Sequence, residues 1–214
     1  MSIPKIIHYC RFGGGPISAE SRRCMESWKK YCPDYKIMAW NEQNFDISQN
    51  RYAQQAYETK KYAFVSDYVR LAVLYEYGGI YLDTDVELVR PLDELLEYKG
   101  FIGMEHSAPS PYGRTLLVNT GSGVGAEPGC GMIGKMLAGY RNAAFIQETG
   151  EPDLRTCTQR DTPLFTKAGL QQKNEQQELD GFLVLPTDCF SPFDYVTERM
   201  HFSTCARFSG RISR

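Results

Sequence analysis

The chain has 214 residues, of which 42% are hydrophobic and 23% charged, and its formal net charge at pH 7 is −2. This composition supports a sizeable folded core and is not typical of a disordered chain. The nearly balanced charge gives no basic field for nucleic acid, and no apolar run approaches the roughly 20 residues that a membrane-spanning helix needs.

The N-terminus and the cysteines indicate the cellular compartment. Residues 1–7 lack the long apolar segment and the small-residue cleavage site of a signal peptide. The seven cysteines are odd in number and include no C-x-x-C pair, which favours reduced, mostly structural thiols over a disulfide framework or a zinc site. We therefore expect a cytoplasmic protein.

The first 40 residues predict a strand, a helix and a second strand. Residues 3–9 are rich in isoleucine, and Ser18 can cap a helix that runs to about Tyr31. Ile37 and Ala39 then alternate with Lys36, Met38 and Trp40, which predicts a strand over residues 36–40. A βαβ unit of this kind indicates an α/β fold with a mostly parallel mixed sheet flanked by helices.

Ligands of such sheets bind beyond the carboxyl ends of the strands. Cys10, Arg11 and Asn41 fall at these positions. The glycines at residues 13–15 could let a nucleotide approach the backbone, although they lack the G-x-G-x-x-G pattern and the P-loop lysine. A plain turn is the alternative for these glycines.

Residues 62–77 predict a helix that is apolar on nearly every side and therefore buried. It nevertheless carries Ser66, Asp67 and Arg70, whose i,i+3 and i,i+4 spacings let the three side chains meet. Either a structural ion pair or the polar lining of a site explains them. Two glycines at residues 78–79 supply the C-cap of this helix.

The acidic stretch over residues 77–88 predicts one strand entered through the glycine turn. Side chains alternate between the faces of a strand. One face is apolar, with Ile80, Leu82, Val86 and Leu88, and the other is polar, with Tyr81, Asp83, Asp85 and Glu87. Two neighbouring carboxylates with no nearby cation repel each other when both are ionised. A hard divalent ion bound by both would offset this repulsion. An acidic, solvated loop is the alternative.

The rest of the chain predicts further short elements without a repeat, a linker or a change in composition. Further helices are expected over residues 52–60, 90–96, 132–140 and 162–168. Further strands are expected over residues 101–105, 116–121 and 182–185. Loops and solvated segments are expected over residues 121–131, 148–160 and 171–180. We predict a single domain over residues 1–214, with an atypical C-terminal segment from about residue 196.

The ordered motifs together resemble the D-x-D sugar transferases of glycosyltransferase family 32. The matching segments are residues 3–9, 26–28, 40–41, 63–70, 78–85 and 119–121. The similarity extends to about residue 195. The resemblance implies a GT-A-like nucleotide-sugar-binding fold, a Mn²⁺ or Mg²⁺ ion, and retention of anomeric configuration. It also implies a role in surface polysaccharide synthesis.

The resemblance assigns roles to individual residues. Asp85 resembles the direct metal ligand, Asp83 a ligand shared between metal and donor, and Tyr81 a contact of the donor phosphates. The remaining donor-binding positions implied are Cys10, Arg11, Asn41, Ser66, Asp67, Arg70 and Asn119. The implied catalytic set is Asp67, Arg70, Asp83 and Asp85.

Two positions depart from the family pattern. Arg11 stands where family members usually carry an aromatic residue that packs on the base, and its guanidinium plane could stack there instead. The C-terminal segment lacks the family's usual His-His-Tyr-x-x-Ser-Trp ending. His201 is the residue that could take the ligand role, and a structural or exposed histidine is the alternative.

The predicted function is a retaining, metal-dependent glycosyltransferase. It would move a sugar from a UDP- or GDP-sugar to a saccharide or lipid-linked acceptor, with a peripheral membrane contact if the acceptor is a lipid. The alternative is a catalytically impaired nucleotide-sugar-binding protein. A D-x-D phosphohydrolase fits less well, because its nucleophilic aspartate would follow the first strand, which here ends in His8, Tyr9 and Cys10. A glycosidase also fits less well. Its two carboxylates must stand about 5 Å or more apart across the scissile bond, whereas Asp83 and Asp85 are predicted to share one strand face.

Overall fold

The computed structural model describes residues 2–108, 110–111 and 113–191, together with the backbone of residues 193–194, 199–200 and 209–211. The helices are α1 (Ala19–Tyr31), α2 (Arg51–Glu58), α3 (Tyr62–Tyr77), α4 (Gly131–Arg141), α5 (Cys157–Lys167) and α6 (Thr187–Phe190). The first strands are β1 (Ile6–Cys10), β2 (Lys36–Trp40), β3 (Gly79–Tyr81), β4 (Val86–Leu88), β5 (Gly100–His106) and β6 (Leu116–Ala126). The later strands are β7 (Gln177–Leu179), β8 (Phe182–Leu185), β9 (Phe193–Asp194), β10 (Arg199–Met200) and β11 (Ser209–Arg211).

A seven-stranded sheet in the order β2-β1-β3-β6-β5-β8-β7 organises the chain. Strands β2, β1 and β3 are mutually parallel, whereas β6 runs antiparallel to both β3 and β5. Strand β8 is parallel to β5, and β7 is antiparallel to β8. All strands of this sheet except β6 and β7 therefore share one direction, which confirms the predicted mostly parallel mixed sheet.

Both faces of the sheet are covered by apolar side chains. On one face, residues of α2, α3, α4 and α5 pack together, including Tyr52, Val69, Met136 and Phe165. On the other face, Trp28 of α1 packs with Ile7, Val86 and Phe190. Strand β3 contributes to both cores, because alternate side chains point to opposite faces. Helices thus flank the sheet on both sides, as the sequence predicts.

The acidic stretch is not one strand, which corrects the prediction. Strand β3 ends at Tyr81, and a turn follows in which the Val86 N–H donates to the Asp83 carbonyl at 3.0 Å. Strand β4 then pairs antiparallel with β11 instead of continuing beside β1. The predicted apolar face is nevertheless correct, because its members share the core beside Trp28, namely Ile80, Leu82, Val86 and Leu88.

The glycine-rich segment after Asn119 is not a loop, because β6 extends through Ala126. Glycines suit this strand because aromatic rings occupy the space of their missing side chains. A Cβ on Gly123 would lie 2.5 Å from the Phe190 ring, and one on Gly125 would lie 2.3 Å from the Phe101 ring. These rings come from other parts of the chain, so the local sequence predicts a loop.

Four further segments differ from the prediction. In place of the helix expected over residues 90–96, only a 3₁₀ helix over Asp93–Leu95 forms. Helix α5 begins at Cys157, inside the stretch predicted to be irregular, because Thr156 and Gln159 form a capping box. Strand β7 lies in the predicted solvated run and pairs with β8. Helix α6 follows β8 and was not predicted. His201 lies outside the described residues.

Among the described residues, we find no helix of the length and hydropathy that crossing a bilayer requires.

Candidate functional site

The predicted site residues gather where three parallel strands end. Cys10 at the end of β1 lies opposite Trp40 at the end of β2, and Tyr81 ends β3 beside them. Strand β6 runs the opposite way and continues past the end of β3. The Asp83 N–H therefore donates to the Gly121 carbonyl at 3.1 Å, which fixes the acidic turn against β6.

Arg70 lies at the centre of this site and is 4% exposed. Its Nη2 lies 2.9 Å from Asp67 Oδ1 and 3.7 Å from Asp83 Oδ1. Its Nη1 donates to Thr120 Oγ1 at 3.0 Å. The guanidinium carbon stands 4.8 Å from the centre of the Tyr81 ring. Arg70 thus joins α3, β3, β6 and the acidic turn.

The electrostatics favour an ionised Arg70. Burial opposes the charge of Arg70, but Tyr81, Asp83 and Asp67 together raise its pKa well above the ordinary value. Burial also raises the pKa of Asp67, whereas the positive charge of Arg70 opposes that rise. The buried pair is therefore a tightly coupled charge pair that the surrounding polar groups must stabilise.

Tyr81 orients Asp83. The Tyr81 hydroxyl donates to Asp83 Oδ1 at 2.9 Å. Burial, followed by the negative charge of Asp83, raises the pKa of Tyr81 well above its ordinary value, so the hydroxyl keeps its proton. The Asp83 side chain is 25% exposed, which leaves it accessible from solvent while Tyr81 and Arg70 hold one of its oxygens.

The two aspartates of the D-x-D motif face different surroundings, contrary to the prediction that they share one strand face. Asp83 lies against Arg70 and Tyr81. Asp85 lies nearer α1, where burial, Glu87 and Asp85 together raise the pKa of the Cys24 thiol to about 11. The turn between the two strands explains this separation, because it interrupts the alternation of side chains.

Cys10 and Ser66 border the same cluster. Burial raises the pKa of the Cys10 thiol to about 12, and the positive charge of Arg70 partly opposes the rise. The Ser66 hydroxyl donates to the Tyr62 carbonyl at 3.1 Å within α3. Both side chains are therefore polar groups at the edge of the Arg70 cluster.

Asn119, Asn41 and Arg11 lie farther out. The Asn119 amide donates to Glu105 Oε2 at 2.5 Å, and its oxygen accepts from the Gly121 N–H at 2.7 Å. The Asn41 oxygen accepts from a backbone N–H in the turn after β2. The backbone N–H of Arg11 donates to the Trp40 carbonyl, which places Arg11 beside Asn41.

The residues present suit a divalent ion that a substrate helps to hold. Within the part of the chain that the structure describes, no group of three or more His, Cys, Asp or Glu side chains could hold a metal. The acidic turn supplies Asp83 and Asp85. One or two carboxylates completed by substrate phosphates are the usual environment of Mg²⁺ in nucleotide enzymes. The site therefore fits a hard cation bound together with a diphosphate.

The sequence analysis did not predict that polar side chains of β6 and α5 border the Arg70 cluster. We call this set, Thr120, Cys157 and Asp161, the α5 wall. Thr120 accepts from Arg70, and the Cys157 thiol bonds to both Thr120 and Asp67. Asp161 follows Cys157 at the i,i+4 position of α5. The Thr156–Gln159 pair matches the capping-box pattern, and recognising it would have placed Cys157 and Asp161 on one helix face.

Comparison with known families identifies this region. Residues 18–102 match the family described as the glycosyltransferase sugar-binding region containing the DXD motif. This part of the chain is therefore similar to a glycosyltransferase sugar-binding region. The family resemblance predicted from the sequence is thereby confirmed, and the matched residues include α3, β3 and the acidic turn.

Two curated relatives are similar to part of the chain. Inositol phosphoceramide mannosyltransferase 3 of Schizosaccharomyces pombe is 33% identical over 127 residues, which cover 54% of this chain and 33% of the relative. Mannosyl phosphorylinositol ceramide synthase of Saccharomyces cerevisiae is 32% identical over 111 residues, covering 47% and 27%. The chain thus spans about a third or less of the length of these curated relatives.

A solved structure supports the fold assignment. The PaToxG glycosyltransferase superposes with a TM-score of 0.54 and 23% sequence identity, covering 78% of this chain and 68% of that one. The likeness concerns the fold alone, and it confirms the predicted GT-A-type arrangement around the sugar-binding region.

Proposed function

We propose that the chain forms the donor site of a glycosyltransferase that moves a hexose from a nucleotide diphosphate sugar to an acceptor hydroxyl. The observation that carries the proposal is the buried Arg70 network directly beneath the acidic turn. Arg70 contacts Asp67 at 2.9 Å and approaches Asp83 at 3.7 Å, within the region that matches the family. A buried ion cluster beside two partly buried carboxylates suits recognition of a charged, hydroxyl-rich ligand.

Asp83 and Asp85 are the residues that would hold Mn²⁺ or Mg²⁺. When bound, such a cation offsets the negative charge that builds up on a departing diphosphate. Tyr81 and Arg70 fix one oxygen of Asp83, so its other oxygen is held in a defined direction. The turn backbone, tied to Gly121, limits movement of both carboxylates.

Asp67 and Arg70 would bind the donor sugar. A buried carboxylate accepts hydrogen bonds from sugar hydroxyls, and a guanidinium donates to hydroxyl or phosphate oxygens. Ser66 and Asn119 would line the same pocket. Cys10, Asn41 and Arg11 would line the space for the base and ribose, beyond the ends of β1 and β2.

The proposed reaction proceeds with retention and without a covalent enzyme intermediate. The bond between the anomeric carbon and the diphosphate breaks, and its electron pair leaves with the phosphate. The acceptor hydroxyl forms the new bond on the same face, and its proton passes to the leaving phosphate. Two observations support the absence of an enzyme nucleophile: the Cys10 thiol has a pKa of about 12, and Asp67 is ion-paired.

The names of the relatives suggest where to begin with substrates. Both curated relatives carry names for mannosyl transfer to an inositol-containing ceramide. We therefore propose GDP-mannose as the first donor and a lipid-linked or saccharide acceptor, with UDP-sugars next. A cytoplasmic, membrane-peripheral enzyme of surface polysaccharide synthesis, built as a single domain over residues 1–214, is the corresponding cellular proposal.

The test is a donor screen with Mn²⁺ present. GDP-mannose, UDP-glucose and UDP-N-acetylglucosamine are each incubated with the protein, and released nucleotide and glycosylated acceptor are measured by mass spectrometry. We expect release from one donor, its loss with EDTA and its loss in Asp85→Ala. Asp180→Asn, which alters a fully exposed carboxylate far from the turn, should behave like wild type. Equal release by wild type and Asp85→Ala would contradict the assignment, and nucleotide binding without turnover would favour the impaired-enzyme alternative.

A further inference from the structure

Asp161 on α5 is a buried carboxyl group for which the proposed chemistry has no role. It is 1% exposed, and its Oδ2 is buried without a hydrogen-bond partner. The neighbouring buried aspartates each have a cation: Asp67 lies 2.9 Å from Arg70, and Asp153 lies 2.7 Å from Arg160. Asp161 has no ion pair among the residues that the structure describes.

Two cations face Asp161, but each is ion-paired with another aspartate, and neither forms an ion pair with Asp161 among the residues that the structure describes. Helix α3 presents Asp67 and Arg70, helix α4 presents Tyr140, and its own helix presents Cys157 and Arg160. The Arg70 guanidinium already contacts Asp67 on α3, Tyr81 on β3 and Thr120 on β6. The Arg160 guanidinium is held by Asp153 and also lies over two tyrosine rings.

Physical chemistry therefore favours a protonated Asp161. An isolated ionised carboxylate is too costly to bury, so the group keeps its proton instead. Burial raises the pKa of Asp161 to about 7, and the charge of Asp67 adds to the rise, while Arg70 and Arg160 oppose it. At neutral pH, the proton of Asp161 is thus poised between retention and loss.

We propose that Asp161 is a positioning residue whose proton keeps Arg70 paired with Asp67 and Asp83 in the donor site. This inference rests on the proposed donor-binding role of that pair. When Asp161 loses its proton, two buried carboxylates compete for Arg70. The guanidinium then moves away from its contacts with Thr120 and Asp83, and donor binding weakens as the pH rises above neutrality.

The first test needs no ligand. Asp161→Asn keeps the shape but cannot ionise, and Asp188→Asn is a matched control, because Asp188 is also buried with an unpartnered oxygen and lies on α6. A carboxyl with a raised folded-state pKa loses stability as pH rises from the unfolded value through the folded one. We expect the Tm of wild type to fall between about pH 5 and about pH 8 more steeply than the Tm of Asp161→Asn. Parallel curves for these two proteins would overturn the proposal.

The second test follows Arg70 itself. The Arg70 Nε–H signal in a proton–nitrogen NMR spectrum, assigned with Arg70→Lys, should shift with a midpoint near neutral pH in wild type. That shift should persist in Asp188→Asn and vanish in Asp161→Asn. Because the wild-type titration stands alone, the proposal remains testable even if Asp161→Asn does not fold. An Arg70 signal that stays constant through neutral pH in wild type would overturn it.

The third test measures donor binding. The Kd of whichever donor the screen identifies, with Mn²⁺ present, should rise about threefold or more between about pH 6.5 and about pH 8.5 in wild type and in Asp188→Asn. It should stay nearly constant in Asp161→Asn. The same pH dependence in Asp161→Asn as in wild type would contradict the positioning role. If no donor binds wild type at any pH, the proposed function fails, while the two ligand-free tests still judge Asp161.

Discussion

Arg70 shows what can be read from local spacing and what cannot. Its proximity to Ser66 and Asp67 follows from i,i+4 and i,i+3 positions on α3. The structure confirms the side-chain contact with Asp67, whereas Arg70 Nε donates to the backbone carbonyl of Ser66. Its bond to Thr120 spans 50 positions, and its stacking on Tyr81 depends on how β3 packs against α3. Local spacing predicts neither contact, so only the folded structure shows that Arg70 lies at the centre of the site.

Removing the Arg70 charge should destabilise the protein strongly. Arg70→Met leaves Asp67 buried without its cation, which costs about 3–5 kcal/mol in the free energy of unfolding. The double variant Asp67→Asn/Arg70→Met should regain part of this loss, because the unpaired charge is gone. Urea denaturation measures each value.

A matched surface substitution controls for side-chain loss. Arg155→Met removes an arginine whose side chain is 64% exposed and pairs with Asp153. Asp153 is still paired with Arg160 in this variant. It should cost no more than about 1 kcal/mol. A similar cost for Arg70→Met and Arg155→Met would contradict the account of a buried, mutually dependent pair.

At the scale of elements, α3 was predicted with its observed bounds, because a continuous apolar run ends at two glycines. Gly78 and Gly79 have φ of 63° and 102°, and a Cβ on Gly79 would lie 2.8 Å from the Ile6 carbonyl. The acidic turn and the second half of β6 were not predicted. Their shapes depend on Gly121 and Phe190 respectively, which are distant partners that local patterns do not reveal.

Two glycine substitutions test the packing of β6. Gly123→Ala places a Cβ 2.5 Å from the Phe190 ring, and such overpacking should cost about 1–3 kcal/mol. Gly139→Ala on α4 has no atom within 4 Å and should stabilise the protein by about 0.5–1 kcal/mol. Thermal denaturation distinguishes the expected loss of stability in Gly123→Ala from the expected gain in Gly139→Ala. Stabilisation by Gly123→Ala would show that the ring does not occupy this space.

His8 joins β1, β2 and the end of α3, and it should make stability depend on pH. Its Nδ1 accepts from the Trp40 indole at 3.0 Å, so its Nε2–H donates to the Gly78 carbonyl at 2.8 Å. Burial lowers the pKa of His8 to about 4, although the Gly78 bond opposes this. A depressed histidine pKa means that stability is lost as pH falls from the unfolded value of about 6.5 toward 4.

The corresponding loss from His8 is about 3 kcal/mol. His8→Gln, which retains an amide donor and acceptor, should be less stable than wild type at neutral pH but lose less stability on acidification. Urea denaturation at about pH 7 and about pH 4.5 measures the difference. An unchanged pH dependence in His8→Gln would exclude His8 as the titrating group.

At the scale of the whole molecule, the site lies where the parallel strands β1, β2 and β3 end and β6 passes in the opposite direction. The sequence predicted a ligand site beyond the carboxyl ends of β1 and β2, since a βαβ unit places its two strands parallel. It also predicted most members of the Arg70 cluster. It did not predict the α5 wall with Cys157 and Asp161, because the contact of α5 with α3 depends on the packing of the complete chain.

The C-terminal strand β11 returns to the acidic turn. It pairs with β4 so that Arg211 lies opposite Val86, directly after Asp85. Deleting residues 209–214 should loosen the turn and weaken Mn²⁺-dependent nucleotide binding by about two- to tenfold, the equivalent of about one net hydrogen bond. Calorimetry of the truncated and complete chains measures this. Identical affinities would show that β11 does not support the acidic turn.

The central claim is that the acidic turn binds a nucleotide diphosphate together with a divalent ion, and calorimetric titration with GDP and UDP in the presence of Mn²⁺ tests it most directly. We predict binding of one nucleotide that EDTA abolishes and that Asp85→Asn weakens about tenfold or more, a difference of about 1.4 kcal/mol. Asp180→Asn should bind like wild type. Wild-type affinity in Asp85→Asn, or binding unaffected by EDTA, would contradict the claim.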